Sequence, residues 1–223
     1  AERRAGNAVR RWRARKGAAV REDAVRLRAT AGYQLDAHVH RLEGEARRPA
    51  VVLCPGIDHA GTIFDTFAAP VTADEVARLG CVALHFDPAG RGQSWGEEDF
   101  GGDEHQDDVA TAVRYLAGRP DVDPERIGLV AISFGVAMAV GAVVRHGAPA
   151  AWLLDWEGPS DREIITSGGR ILEPAMGHAL TDDRYWLPRE AVRHLGELSC
   201  PYIRLQATND HAQPGEVRHA TRM

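Results

Sequence analysis

The chain has 223 residues, room for one domain with a full core, and its composition of 44% hydrophobic and 26% charged residues is that of a soluble globular protein. A net charge of −5 points away from nucleic acid and from membrane surfaces. No apolar run reaches the roughly 18–20 residues a bilayer span needs, so a membrane partner is not expected either. Cys54, Cys81 and Cys200 are odd in number and widely spaced, with no CxxC pair, so they read as free thiols. With no secretory signal visible, they favour a cytoplasmic setting.

Residues 1–20 form an arginine-rich segment without an apolar stretch, read as a solvated or docked helix or as a basic docking patch. The domain is expected over 21–223. AVRLRAT (24–30) and YQLDAHVHRL (33–42) alternate apolar and polar around Ala31-Gly32, which predicts an antiparallel hairpin. AVVLC (50–54) is continuously apolar, as a strand covered on both faces is. A helix is predicted near 66–79, a buried strand at CVALHF (81–86), a glycine-rich loop at DPAGRGQSWG and a helix over 104–118. RIGLVAI (126–132) is a further buried strand, followed by a small-residue helix in FGVAMAVGAVVRHG. AAWLLD (150–155) and PYIRLQAT (201–208) complete the strands, with helical signals near 188–198. Strands alternating with helices predict a mostly parallel α/β sheet with helices on both faces. Residues 157–187, too long for one crossover, read as a cap-like insertion.

Ser133 lies where a buried strand gives way to a helix, at the carboxyl end of the strand, where parallel sheets bind ligands. Ala131 and Gly135 flank it at −2 and +2, the small residues that a sharp strand-to-helix turn requires. Such a turn presents the hydroxyl at a helix N-terminus, where free N–H groups and the helix dipole favour developing negative charge. A serine N-cap is the plainer reading of the same residue.

Five motifs in family order, VVLCPGIDHAG, HFDPAGRGQSWG, the approach DVDPERIGLV, the AISFG elbow it leads into, and CPYIRLQATNDHAQP, resemble the α/β-hydrolase superfamily over roughly residues 24–211. The similarity is to its dienelactone-hydrolase-like and prolyl-oligopeptidase-like serine hydrolases. Alanine replaces the first glycine of the elbow. The resemblance implies Ser133 as nucleophile, backbone N–H groups of Ile57 and Phe134 as the oxyanion hole, and Asp210 as the acid that orients a histidine. Asp155 is the alternative acid. Asp87 is expected to hold its loop through backbone bonds, and Arg91 and Asp108 to form a supporting pair.

The histidine is not placed by this pattern. His211 adjoins the acid, and His219 sits in the helix-like GEVRHATRM. The family's last strand and helix are not found before Met223, so the base is expected beyond Met223 or at His219, His59 or His178. His38 and His40 share one face of the hairpin with no third ligand beside them, so no metal is expected, and the chemistry calls for no cofactor. Trp152, Trp156, Tyr185 and Trp186 are candidate pocket aromatics. The expected activity is cleavage of a small-molecule carboxylic ester, lactone or amide through an acyl-enzyme. Acyl transfer by the same serine and a binding or scaffold protein without turnover are the alternatives.

Overall fold

The computed structural model describes residues 18–44, 46–167, 176–209 and 218–223. Seven strands form one sheet in the order β1-β2-β4-β3-β5-β6-β7. β1 (Val20–Arg28) and β2 (Gln34–Leu42) make the antiparallel hairpin, paired residue for residue from Val20↔Leu42 to Arg28↔Gln34. β2 pairs antiparallel with β4 (Val82–Phe86). From there β3 (Arg48–Cys54), β5 (Val122–Ile132), β6 (Trp152–Trp156) and β7 (Tyr202–Leu205) all run parallel to β4.

The continuous apolar runs are covered on both faces. Ala50, Val52 and Cys54 of β3 pack with Leu84 and Phe86 against helices α2 (Asp103–Ala117) and α3 (Gly135–Val144). The intervening Val51 and Leu53 pack with Ala83, Phe64 and the short helix α1 (Ala73–Arg78) on the other face. Period-2 alternation thus divides one strand between two cores. Every residue of α3 from Gly135 to Val143 is buried. That explains its small side chains, because the helix is covered all round.

Several boundaries differ from expectation: β1 begins at Val20 rather than 24, β7 is confined to Tyr202–Leu205, and the helical signal near 188–198 is broken into the short turns Leu187–Arg189, Ala191–His194 and Leu195–Glu197. The helix predicted over 66–79 is confined to Ala73–Arg78, preceded by a 3₁₀ turn at Gly61–Asp65. Pro70 disfavours helix at the residue before it, and Thr72 starts the helix instead. The Thr72 hydroxyl accepts from Glu75 N while the Glu75 carboxylate accepts from Thr72 N, a reciprocal capping box. β5 begins at Val122, four residues early, with a register irregularity opposite Arg48–Ala50. The three cysteines are free thiols. Among the described residues no helix is long and apolar enough to cross a membrane.

Candidate active site

β5 delivers the chain to Ile132, and the backbone then turns sharply. Ser133 has φ 54°, in the left-handed region. For a residue with a Cβ that conformation costs about 1–2 kcal/mol. The Ser133 N–H donates to Trp156 O at 2.9 Å, carrying the β5–β6 pairing one residue past the strand. Its carbonyl accepts from Val136 N at 3.2 Å as α3 begins. Gly135 has no room for a side chain, since a Cβ there would lie 2.6 Å from Cys54 O and 2.7 Å from Pro55 O.

The loop after β3 runs beside this turn. A Cβ on Gly56 would lie 3.4 Å from Ser133 Cβ. Arg91 holds the loop: its Nη1 donates to Gly56 O at 2.7 Å and to His59 O at 3.3 Å. The rest of the guanidinium forks onto Glu98, from Nε at 2.6 Å and Nη2 at 2.8 Å. Burial by itself would raise the Glu98 carboxyl, but Arg91 outweighs it and holds Glu98 below the ordinary glutamate range. The expected Arg91–Asp108 pair is therefore not formed. Asp108 accepts instead from Tyr33 Oη at 2.8 Å and from Ala89 N at 2.9 Å. Asp87 does hold its loop through backbone bonds, accepting from Gly61 N at 2.8 Å and Gln93 N at 2.7 Å. Among the described residues the N–H groups of Ile57 and Phe134 have no hydrogen-bond acceptor. The Ile57 and Phe134 side chains pack with Ile165, Met176 and Trp186 of the β6–β7 connection.

A cavity of about 440 Å³ opens at this point, lined by Gly56, Ile57, His59, Ser133, Trp156, Glu157 and the Phe67–Pro70 stretch. Of the four aromatics singled out in the sequence, only Trp156 lines it. Trp152 lies flat on Gly128, where a Cβ would come 2.1 Å from its ring. Trp186 is fully buried and donates from Nε1 to Ala179 O at 2.9 Å, and Tyr185 packs beside it. Glu157 escaped the sequence reading. It shares with Ser133 a left-handed backbone, φ 55°, and its carboxylate accepts from Ala207 N at 3.0 Å.

The candidate bases and acids are dispersed. His59 is on the cavity wall. His178 sits in the β6–β7 connection with Nδ1 2.8 Å from Asp182 and its ring stacked 3.7 Å from Tyr185. Asp210 and His211 lie outside the described residues, as does the side chain of His219. Asp155 is fully buried and occupied: it accepts from Gly158 N at 2.8 Å, from Tyr202 Oη at 2.6 Å and from Arg204. The expectation that His38 and His40 lack a third ligating group nearby does not hold. The sheet sets His85 of β4 against both rings, and the 3₁₀ turn adds Asp65.

No protein-family model matches the chain. Residues of the chain are 35% identical over 101 positions, 44% of its length, to Thiohydrolase aneE of Aspergillus aculeatus, of which they cover 30%. They are 35% identical over 105 positions, 46% of the length, to Acyltransferase drtE of Aspergillus calidoustus, of which they cover 33%. The match thus spans about a third of each curated relative. Among solved structures, a puromycin-hydrolyzing peptidase of Mycobacterium tuberculosis superposes with TM-score 0.71 at 18% identity, covering 91% of this chain and 32% of that one. An acetyl xylan esterase from Paenibacillus sp. R4 superposes with TM-score 0.64 at 13% identity, covering 97% of this chain and 82% of that one.

Proposed function

The chain has the fold of the α/β-hydrolase superfamily, and from that premise we propose that it is a serine hydrolase acting on a carboxylic ester, lactone or amide of a small molecule. The observation that carries the reading is the left-handed Ser133 at the β5–α3 turn, facing a cavity shared with Gly56 and Ile57. Ser133 Oγ attacks the acyl carbonyl and gives its proton to a base. The negative oxygen that develops is met by the Ile57 and Phe134 N–H groups at the positive end of α3. The leaving group departs with the proton, and water then cleaves the acyl-enzyme by the reverse order of steps. Asp210 is the acid of this reading, because the three partners of Asp155 already occupy its oxygens. His59 is the described imidazole on the cavity wall, while His178 is engaged by Asp182. No step calls for a cofactor.

Treatment with a fluorophosphonate, followed by peptide mass spectrometry, tests it. The adduct is expected on Ser133 and absent from Ser133→Ala. A folded protein that stays unlabelled both as these 223 residues and when extended past Met223 overturns the reading. The stretch shared with Acyltransferase drtE favours a second outcome for the same acyl-enzyme, transfer to an alcohol or thiol in place of water. Adding such acceptors to a turnover assay separates the two.

A further inference from the structure

Away from the Ser133 cavity, three imidazoles gather on one face of the sheet. β2 and β4 pair so that His38 stands opposite His85 and His40 opposite Ala83. Leu35, Ala37 and Val39 take one face of β2, and Leu84 and Phe86 the same face of β4. Alternation leaves His38, His40 and His85 together on the other. The His38 and His85 rings stack at 5.1 Å, and those of His40 and His85 lie 5.2 Å apart. The 3₁₀ turn Gly61–Asp65 ends on this face and adds the carboxylate of Asp65.

His85 Nε2 lies 2.9 Å from Asp65 Oδ1, His40 Nε2 lies 3.2 Å from His85 Nε2, and His40 Nε2 lies 3.5 Å from Asp65 Oδ1. Protons do not satisfy this triangle well. His40 Nδ1 lies 3.1 Å from Asp74 Oδ1, so its proton goes there and the Nε2 lone pair points into the group. That lone pair and the Asp65 oxygen are two acceptors converging on a single His85 N–H. A cation accepts a lone pair from each of the three. Bonds of about 2.0–2.1 Å put neighbouring ligand atoms about 3.3–3.4 Å apart in a tetrahedral shell and about 2.9 Å apart in an octahedral one. The 2.9 and 3.2 Å edges fall within that span, and the 3.5 Å edge lies just above it.

The surroundings are those of a metal centre. A carboxylate on the far nitrogen of a ligating histidine fixes the tautomer and strengthens the donor, and Asp74, itself bound by Arg78 at 3.0 Å, does this for His40. His85 Nδ1 has no partner among the described residues, so nothing there prevents it from carrying the ring proton when Nε2 is a ligand. His85 is fully buried and His40 nearly so, whereas Asp65 opens onto a cavity of about 640 Å³ whose wall also carries Glu22, Asp74 and Glu75. The cavity gives an entry path, a negative mouth and room for water on the remaining coordination position.

We propose that His40 Nε2, His85 Nε2 and Asp65 Oδ1 form a binding site for a divalent first-row transition metal ion, completed by water from this cavity. Two imidazoles and one carboxylate suit zinc, iron, cobalt or nickel better than calcium or magnesium, which prefer all-oxygen shells. The ion ties the turn after the Gly56–His59 loop to the sheet. Phe67 lines both this cavity and that of Ser133, so the tie borders the proposed active site without entering it.

The test uses the full chain, stripped with a chelator and titrated with Zn2+ by calorimetry, with bound metal counted by elemental analysis after dialysis. One Zn2+ per chain is expected, with an increase of several degrees in Tm at saturating metal. Asp65→Asn and His40→Gln, each checked for a native circular-dichroism spectrum, are expected to weaken binding at least tenfold and to abolish the Tm shift. They are preferred to changes at His85, whose complete burial puts folding itself at stake. Co2+ in place of Zn2+ should give visible d–d bands that Asp65→Asn removes. A folded wild-type chain that binds no Zn2+ overturns the proposal. So does binding of unchanged stoichiometry and affinity in both variants, which would assign the metal to other histidines.

Discussion

At the residue scale, the pentapeptide AISFG carried most of what the sequence could say. The small residues two positions either side of Ser133 announced a tight turn, and Gly135 indeed lies against two carbonyl oxygens. The left-handed φ of Ser133 turns that into an energetic statement. In Ser133→Gly the strain is relieved, whereas in Ser133→Ala it stays, and both variants lack the hydroxyl. Ser133→Gly is therefore expected to be more stable than Ser133→Ala by about 1 kcal/mol in urea unfolding. Equal midpoints and slopes would show that the turn stores no strain. Charge partners were far less legible. Arg91 was matched with Asp108 from the sequence, but a guanidinium needs acceptors arranged in a fork, and Glu98 with two loop carbonyls offers them.

At the element scale, the loops rather than the strands define the site, and buried arginines hold them. Arg91 spans the Gly56–His59 loop and Glu98. Arg189 does the same for the β6–β7 connection, donating to Phe100 O at 3.2 Å, Tyr185 O at 2.6 Å and Asp99 Oδ1 at 2.6 Å. Lysine retains the charge but not the planar set of donors. Arg91→Lys is expected to lower stability by about 2–3 kcal/mol, since it strands Glu98 and at least one carbonyl in a partly buried setting. A double-mutant cycle with Glu98→Gln should show coupling, and additive losses would contradict the fork. The strands were readable because continuous apolar runs have few alternatives in an α/β chain. The helix near 66–79 was over-extended because apolar spacing outweighed Pro70, although Thr72-x-x-Glu75 marked its start.

At the scale of the whole molecule, α2 locks the Asp87–Gly96 loop to the core through one residue, Ala89. His105 Nε2 lies 2.9 Å from Ala89 O, and Asp108 Oδ2 accepts from Ala89 N at 2.9 Å. His105 Nδ1 accepts from Gly101 N at 3.1 Å, so the ring must be neutral, and burial with the nearby Arg91 charge pushes its pKa down to about 4. Between that value and the ordinary 6.5 the unfolded chain binds the proton and the folded chain does not. The histidine's contribution is therefore present above pH 6.5 and lost as pH falls toward 4. Asp108 acts in the opposite sense, because burial raises its pKa from 3.8 to about 7 and stability is lost as pH rises through that window. His105→Gln isolates the first effect. Its stability deficit relative to wild type should grow by about 2 kcal/mol from pH 4.5 to 6.5. Parallel urea-stability profiles would refute the assignment. The sequence by itself determined the strands and the two long helices, because hydrophobic periodicity and glycine placement are local and cumulative. It also marked Ser133, because a strand–serine–helix junction with small flanks is written in consecutive residues. Only the tertiary structure decided that His40, His85 and Asp65 meet, that Arg91 serves Glu98, and that Trp156 rather than Trp152 or Trp186 faces the cavity. Those relations join residues far apart in the chain, and strand register and loop path settle them.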